Sequence, residues 1–383
     1  MIEISRIDIY HFSAPIKEPI VTSFGAITAR NNVLLRVEDQ DGAHGWGEIW
    51  GSFPPCGAEN KVRLLESIVL PTVLGRSYEG PAEAWRDMTR RMRRHALQSA
   101  EPGNFAACLA GLDIALWDLT ARKADMPLWR ALGREDTPGP LPAYASNLNP
   151  ADAPEMVARC RDRGYRAFKV KVAFDLSSDL ANIRAIAGDL GTAERLMLDA
   201  NQGWDIEDAR VAIRAFGEFP LDWIEEPICV DEPVAHWAEL SQMSSVPLAG
   251  GENMVGRAAF DEAVDTGHLG VIQPDVGKWG GISGCLPVAR RAVAAGRRYC
   301  PHWLNSGIGL HASAHILAVA GGTGILEHDA MENPLQAPLA APFPALVDGC
   351  FPLSNRPGLG VDPDLEAAAQ YLRSHSEISP RSV

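Results

Sequence analysis

Three acidic residues stand at nearly equal intervals in the middle of this 383-residue chain. Asp199 ends Leu-Met-Leu-Asp, Glu225 lies in Trp-Ile-Glu-Glu-Pro and Glu252 in Ala-Gly-Gly-Glu-Asn, with gaps of 26 and 27 residues. Each closes a short apolar run and precedes an amphipathic, helix-length segment. A strand, a helix and two loops need about that many residues, so the spacing reads as a repeated βα unit. In a closed parallel barrel the strand ends share one face. Three carboxylates gathered there repel unless a cation lies between them, and oxygen-only ligands favour Mg²⁺, Mn²⁺ or Ca²⁺ over zinc. The competing reading is that each acid merely caps the helix behind it.

Further reactive residues fall at neighbouring strand ends. Phe168-Lys169-Val170-Lys171-Val172 puts two lysines on one face of a strand, which a barrel tolerates at its open end; a solvated edge strand is the alternative. A second ammonium and a metal nearby lower a lysine's pKa toward that of a usable base. Two later strands end in Gln-Pro-Asp275 and Cys-Pro-His302. A carboxylate beside an imidazole fixes its tautomer and raises its pKa, although His302 alone would equally suit a core. In barrel order these strands lie across from the lysine strand, so Lys171 and His302 would flank a substrate. Leu326-Glu327-His328-Asp329 adds one more carboxyl group. His311 and His315 have zinc spacing without a third ligand and read as packing. Gly277, Gly280, Gly281 and Gly284 lack the Lys-Ser/Thr of a P-loop, and no Gly-x-Ser-x-Gly elbow is present.

The elements that must position these residues follow from periodicity. Strand-like runs recur at 141–146, 167–172, 195–200, 222–227, 247–252, 270–275, 298–302 and 325–328, with helical segments between them. Eight strands in βα order favour an α/β barrel over a doubly wound sheet, whose glycine fingerprint is missing. Residues 1–50 alternate as antiparallel strands, interrupted by loops at 17–28 and 50–57, and helices are expected at 59–74, 81–99 and 105–123. The expected organisation is an α+β capping domain at 1–135, the barrel at 136–350, and a tail at 351–383 that returns to the cap. The net charge of −14, from 35 basic and 49 acidic residues, argues against nucleic acid and anionic membranes as partners. No apolar run reaches membrane-spanning length. Seven scattered cysteines without a Cys-x-x-Cys, and a strand-like N-terminus without a signal pattern, point to reduced thiols in the cytoplasm.

Taken together, these residues resemble the enolase superfamily, and within it the mandelate racemase subgroup. Ala110-Gly-Leu-Asp-Ile-Ala-Leu-Trp-Asp-Leu is similar to the signature helix of that family's capping domain, and Lys169-Val170-Lys171 to its Lys-x-Lys pair. The resemblance implies a (β/α)7β modified TIM barrel, with Mg²⁺, or alternatively Mn²⁺, on Asp199, Glu225 and Glu252. It implies removal of the α-proton of a small-molecule carboxylate, giving an enediolate. Lys171 and His302 are the implied bases, Asp275 the partner of His302, and Lys169 and Glu327 the contacts of the reacting carboxylate. Asn147, Asn201 and Trp303, with Phe24, Trp50 and Phe53 from two capping loops, are the expected substrate contacts, and a homo-oligomer is expected. Those loops carry few charged groups to bind a polyol. Dehydration of an acid sugar is the expected outcome. Racemisation or epimerisation between Lys171 and His302 on a less polar carboxylate is the alternative, and a non-catalytic metal-binding barrel a third. Lys278, three residues after Asp275, falls in a loop and not at the strand end where a muconate-lactonizing type of site carries its lysine.

Overall fold

A computed structural model describes residues 1–379 of the chain. The alternating apolar residues near the N-terminus form antiparallel strands β1 (Ile2–Thr22), β2 (Gly25–Asp39) and β3 (His44–Trp50). Residues 17–28, expected as a loop, instead extend β1 and β2 into a long hairpin tipped by Ser23 and Phe24. Pro15 and Pro19 suggest a broken strand, but the ladder shifts register between Pro15 and Ile20 and then resumes as far as Thr22 opposite Gly25. A helical run follows: α1 (Gly57–Leu64), a π turn at Leu65–Val69 and α2 (Leu70–Val73). Strand β4 (Ser77–Tyr78) and helices α3 (Pro81–Gln98), α4 (Pro102–Lys123) and α5 (Leu128–Ala131) complete the cap. Helix α4 lies so close to β3 that a Cβ on Gly47 would sit 2.0 Å from the carbonyl oxygen of Gly111. Glycine at that contact lets two backbones touch.

The barrel then runs β5 (Leu141–Leu148), α6 (Ala153–Asp162), β6 (Ala167–Lys171), α7 (Leu176–Gly188), β7 (Arg195–Asp199) and α8 (Ile206–Phe216). It continues with β8 (Leu221–Glu225), α9 (Val234–Met243), β9 (Leu248–Gly250), α10 (Arg257–Thr266), β10 (Val271–Ile272) and α11 (Gly281–Ala294). Strand β11 (Arg298–Tyr299), α12 (Gly307–Ala320) and β12 (Leu326–Asp329) close it. The parallel ladder is ordered β11-β10-β9-β8-β7-β6-β5-β12. Its two ends approach where the Ile325 amide meets Cys300 Sγ at 3.5 Å. Strand β13 (Cys350–Phe351) pairs with β5, and β14 (Leu372–Ile378) runs antiparallel to β1.

One residue from each strand region fills the barrel interior: Tyr144, Ala167, Met197, Trp223, Ala249, Val271, Cys300 and Ile325 form one apolar cluster. Strand side chains alternate between faces. The next inward positions are therefore Ser146, Lys169, Asp199, Glu225, Gly251, Gln273, His302 and Glu327. An apolar layer thus floors a polar one, and the polar one lies at the C-terminal ends of the strands, where barrel sites lie. At the β9 end the inward position is Gly251, and Glu252 follows it. Gly251 has φ +139°, and a Cβ there would lie 2.9 Å from the backbone of Gln273.

Candidate active site

The polar layer is a network of buried ions. Lys169 Nζ lies 2.5 Å from Glu225 Oε1, 2.7 Å from Glu327 Oε1 and 3.6 Å from Asp199 Oδ2. Lys171, one layer higher on β6, donates to Asp199 Oδ2 at 2.7 Å and to Asn201 Oδ1 at 2.6 Å. Asp199 and Glu225 are register partners across β7 and β8. Gln273 and the Trp223 indole donate to Glu225 Oε2 at 2.7 and 3.1 Å. On the far side of the mouth, His302 Nδ1 meets Asp275 Oδ2 at 2.6 Å, and His302 Nε2 meets Glu252 Oε2 at 2.8 Å. Backbone at the rim is unusual: Asn147, Ala173, Asn201, Gln202 and Glu226 all take positive φ. Such conformations in non-glycine residues cluster where a site must aim its side chains.

Two residues not expected among the site residues join this network: Glu226, and Lys278 from the loop after Asp275. Lys278 stands in a turn, and Asp275 Oδ1 curls that turn back by accepting the Gly277 and Lys278 amides at 2.8 Å each. Its ammonium reaches Glu252 Oε1 at 2.9 Å and lies 4.4 Å from the centre of the Trp50 ring. Glu226 is turned inward by its φ of +40° and accepts from Asn253 Nδ2 at 3.0 and 2.9 Å.

Burial sets the protonation pattern, and neighbouring charge then divides it. Burial alone would depress His302, but Glu252 and Glu327 raise it to about 10. Burial would likewise raise Glu252 and Glu327; His302 and Lys278 hold the first well below the carboxylate range, and Lys169 and His302 hold the second at about 2. Lys169 is raised, because Glu225 and Glu327 outweigh its burial. Burial lifts Glu225 to about 7, with Asp199, Glu327 and Glu252 adding to the effect against Lys169.

A divalent cation fits this donor set. Six carboxylates (Asp199, Glu225, Glu226, Glu252, Asp275 and Glu327) face four cations (Lys169, Lys171, Lys278 and His302). With all ionised, two negative charges lack a counter-charge. The donors are hard oxygens, which suit Mg²⁺. Among the described residues, however, no three acidic side chains converge at metal-ligand spacing. Lys169, Lys171, Lys278 and His302 each draw one of them aside, so Asp199, Glu225 and Glu252 could hold an ion after turning from their present partners.

The cap roofs a cavity of about 450 Å³ above this layer. Lys171, His302, Glu252, Asn147 and Asn201 line its barrel side, and Phe24, Trp50 and Phe53 its cap side, with Phe24 and Phe53 edge to face at 4.8 Å. Lys169, Asp275, Asp199, Glu225 and Glu327 lie beneath. Trp303 does not reach the cavity. It is 2% exposed, its indole donates to the Ser306 carbonyl at 2.6 Å, and its amide donates to Glu327 Oε2 at 2.9 Å. Trp303 thus holds Glu327 in place and touches no substrate space. The cap side is also less neutral than its loop sequences suggested, because Lys61 from α1 lines the cavity. His311 and His315 are buried packing residues, as their spacing without a third ligand implied, and His315 Nδ1 accepts the Trp129 amide at 3.1 Å.

A parallel α/β barrel with an ionised layer at its strand ends, roofed by an α+β domain, is the plan of a two-domain barrel enzyme. The chain belongs to the enolase superfamily, in its mandelate racemase/muconate lactonizing enzyme group. Residues 6–133 match the mandelate racemase/muconate lactonizing enzyme N-terminal domain, and residues 152–368 match the enolase C-terminal domain-like family. A solved mandelate racemase/muconate lactonizing enzyme from Bordetella bronchiseptica is 47% identical, with a TM-score of 0.90 over 97% of this chain and 99% of that one. The 3,6-anhydro-alpha-L-galactonate cycloisomerase of Streptomyces coelicolor is 32% identical over 96% of this chain and 98% of its own. A racemase from S. coelicolor, solved with bound magnesium, is 30% identical, with a TM-score of 0.85 over 97% of this chain and all (100%) of that one. Other relatives are named as cycloisomerase, dehydratase, racemase and epimerase. No described helix is long and apolar enough to cross a membrane.

Proposed function

We propose that this protein is a Mg²⁺-dependent enzyme that removes the α-proton of a hydroxy-carboxylate and expels an oxygen leaving group from the β-carbon, as in dehydration of an acid sugar. Asp199, Glu225 and Glu252 would hold the ion, which when bound supplies positive charge to the oxygens of the substrate carboxylate. Lys171 and His302 stand on opposite sides of the mouth, on β6 and just after β11. Both line the cavity, so one can take the α-proton while the other delivers a proton to the departing oxygen. Asp275 engages His302 Nδ1, and Nε2, now paired with Glu252 at 2.8 Å, would exchange protons with substrate once Glu252 turns to the ion. Lys169 and Glu327 lie below the carboxylate position. Lys169 adds fixed positive charge there, and such preorganised charge is worth more in a dry site than in water.

The single observation that supports this reading is the pair of proton carriers, Lys171 and His302, facing one cavity across a carboxylate layer. Loss of water makes the step a dehydration. If the β-oxygen belongs to a ring, the same elimination opens the ring without losing water, giving a cycloisomerisation; the S. coelicolor relative's name favours that second reading. Reprotonation at the α-carbon by the opposite carrier would give a racemase or epimerase, which the aromatic side chains Phe24, Trp50 and Phe53 favour for a less polar substrate. The test is product analysis of acid sugars, their lactones and their anhydro forms incubated with protein and Mg²⁺. A 2-keto-3-deoxy acid supports elimination, whereas an inverted but otherwise unchanged acid would overturn it.

A further inference from the structure

Lys61 is a cation that the proposed reaction does not use. It stands on α1 of the cap and is 4% exposed. Burial on this helix follows the apolar stripe: Ala58, Lys61, Val62 and Leu65 are all buried, the i, i+3, i+4 and i+7 positions of one face. A lysine on such a stripe is costly unless it is paired. Among the described residues its ammonium makes one hydrogen bond, to the Gly57 carbonyl at 3.3 Å, and no carboxylate lies within ion-pair distance. One of its charged neighbours is itself positive. Lys278 sits on the same Trp50 ring, with Lys278 Nζ 4.4 Å and Lys61 Nζ 5.8 Å from the ring centre. Burial and Lys278 lower its pKa, against Cys108, Cys56 and Glu101, which raise it.

The other cations of the cavity differ. Arg30 is matched by Asp329 at 2.8 Å and Lys278 by Glu252 at 2.9 Å. Lys61 alone faces the cavity from the roof with its charge unmatched among the described residues. The reacting carboxylate belongs at the other end, among Lys171, Lys169 and His302.

We infer that Lys61 receives a second carboxylate at the distal end of the substrate, so that the site selects dicarboxylic acids over monocarboxylic acids of the same length. This inference rests on the proposed orientation, with the reacting carboxylate at the barrel floor. A distal carboxylate would supply the missing counter-charge and would form a charge-assisted hydrogen bond out of bulk water.

The experiment uses calorimetric binding with Mg²⁺ present, on matched pairs: galactonate against galactarate, and gluconate against glucarate. The wild-type protein should prefer the diacid of at least one pair by about tenfold to a hundredfold, the scale of one charge-assisted hydrogen bond. Lys61→Met should abolish that preference while leaving the monoacid's affinity within about twofold, and Lys61→Arg should keep part of it. Lys61→Met should also melt at the same or a higher temperature, because it removes an unpaired buried charge. Equal affinity for both acids in every pair, or a diacid preference that survives in Lys61→Met, overturns the inference. So does a marked fall in melting temperature, which would assign Lys61 to the fold. The proposed reaction fails separately, by the absence of product from acids that bind.

Discussion

His302 Nδ1 lies 2.6 Å from Asp275 Oδ2, and the two residues form an isolated parallel bridge just beyond the ends of β10 and β11. The backbone therefore fixes the pair before any side-chain choice is made. Asp275 has a second task, since its other oxygen holds the turn that carries Lys278. Asp275→Asn should keep that turn while removing the charge beside the imidazole. Steady-state kinetics should show kcat falling about a hundredfold or more, the usual worth of a positioned acid or base. An unchanged kcat would make the pair a structural contact.

Metal should stabilise the folded chain without being required for it. Each carboxylate of the layer already has a cationic or amide partner, so the protein is expected to stay folded in EDTA. Mg²⁺ at a hundredfold excess over its Kd should add about 2.7 kcal/mol by mass action. Glu252→Gln can still hydrogen-bond Lys278, but it should lose most of the Mg²⁺-dependent rise in melting temperature. The same rise in wild type and Glu252→Gln would remove Glu252 from the ligand set.

Helix α4 ties cap to barrel through Asp113. Its Oδ2 accepts the Ser283 amide at 2.8 Å, at the start of α11, and neighbouring Trp117 donates to Ser283 Oγ at 2.8 Å. Burial raises Asp113 to about 7, against the hydrogen bonds from Ser283 and Ile282. Asp113→Ala should cost about 1–3 kcal/mol in urea denaturation by leaving a buried amide unpaired. Asp113→Asn, which keeps an acceptor oxygen, should cost much less. Equal losses would show that the carboxylate charge matters after all.

Stability should fall on acidification through buried histidines. Burial lowers His311 to about 3, with His315 and His328 adding to it, and lowers His315 and His328 to about 4. In the unfolded chain each takes up a proton near pH 6.5. Their contribution is therefore intact above pH 6.5 and is lost progressively as pH falls toward 4, where the folded groups begin to titrate. Among the described residues His311 has no hydrogen-bond partner at either ring nitrogen, so His311→Leu should fold and should show one proton fewer taken up on unfolding near pH 5. An unchanged pH slope would contradict this.

The barrel was legible because its chemistry is periodic. Asp199, Glu225, His302 and Glu327 sit two residues beyond an apolar interior position of their own strand regions, and strand alternation alone puts them in one layer. What stayed hidden depends on local departures from that period. Lys278 is brought in by a turn that Asp275 folds, and nothing in the spacing announces that the chain doubles back. Glu226 needs a positive φ to face the same way as Glu225. Trp303 was placed by its neighbour His302, yet its ring turns under the mouth onto Gly277 and Gly309, where a Cβ would lie 2.5 and 2.1 Å from it. Lys61 did leave a trace in the sequence, as a charge on the apolar stripe of α1. The long β1–β2 hairpin was masked by two prolines that a shift in register accommodates.

The most direct test of the central claim is exchange of the α-proton. Protein and Mg²⁺ are incubated in D₂O with hydroxy acids, acid sugars and their lactones, and the position of deuterium in substrate and product is read by NMR. Wild-type protein should introduce deuterium at the α-carbon of recovered substrate or at C3 of a 2-keto-3-deoxy product, and whichever of Lys171→Ala and His302→Asn removes the α-base should abolish it. Exchange that persists unchanged in both variants, or a 2-keto-3-deoxy product with no solvent deuterium at C3, would contradict the account.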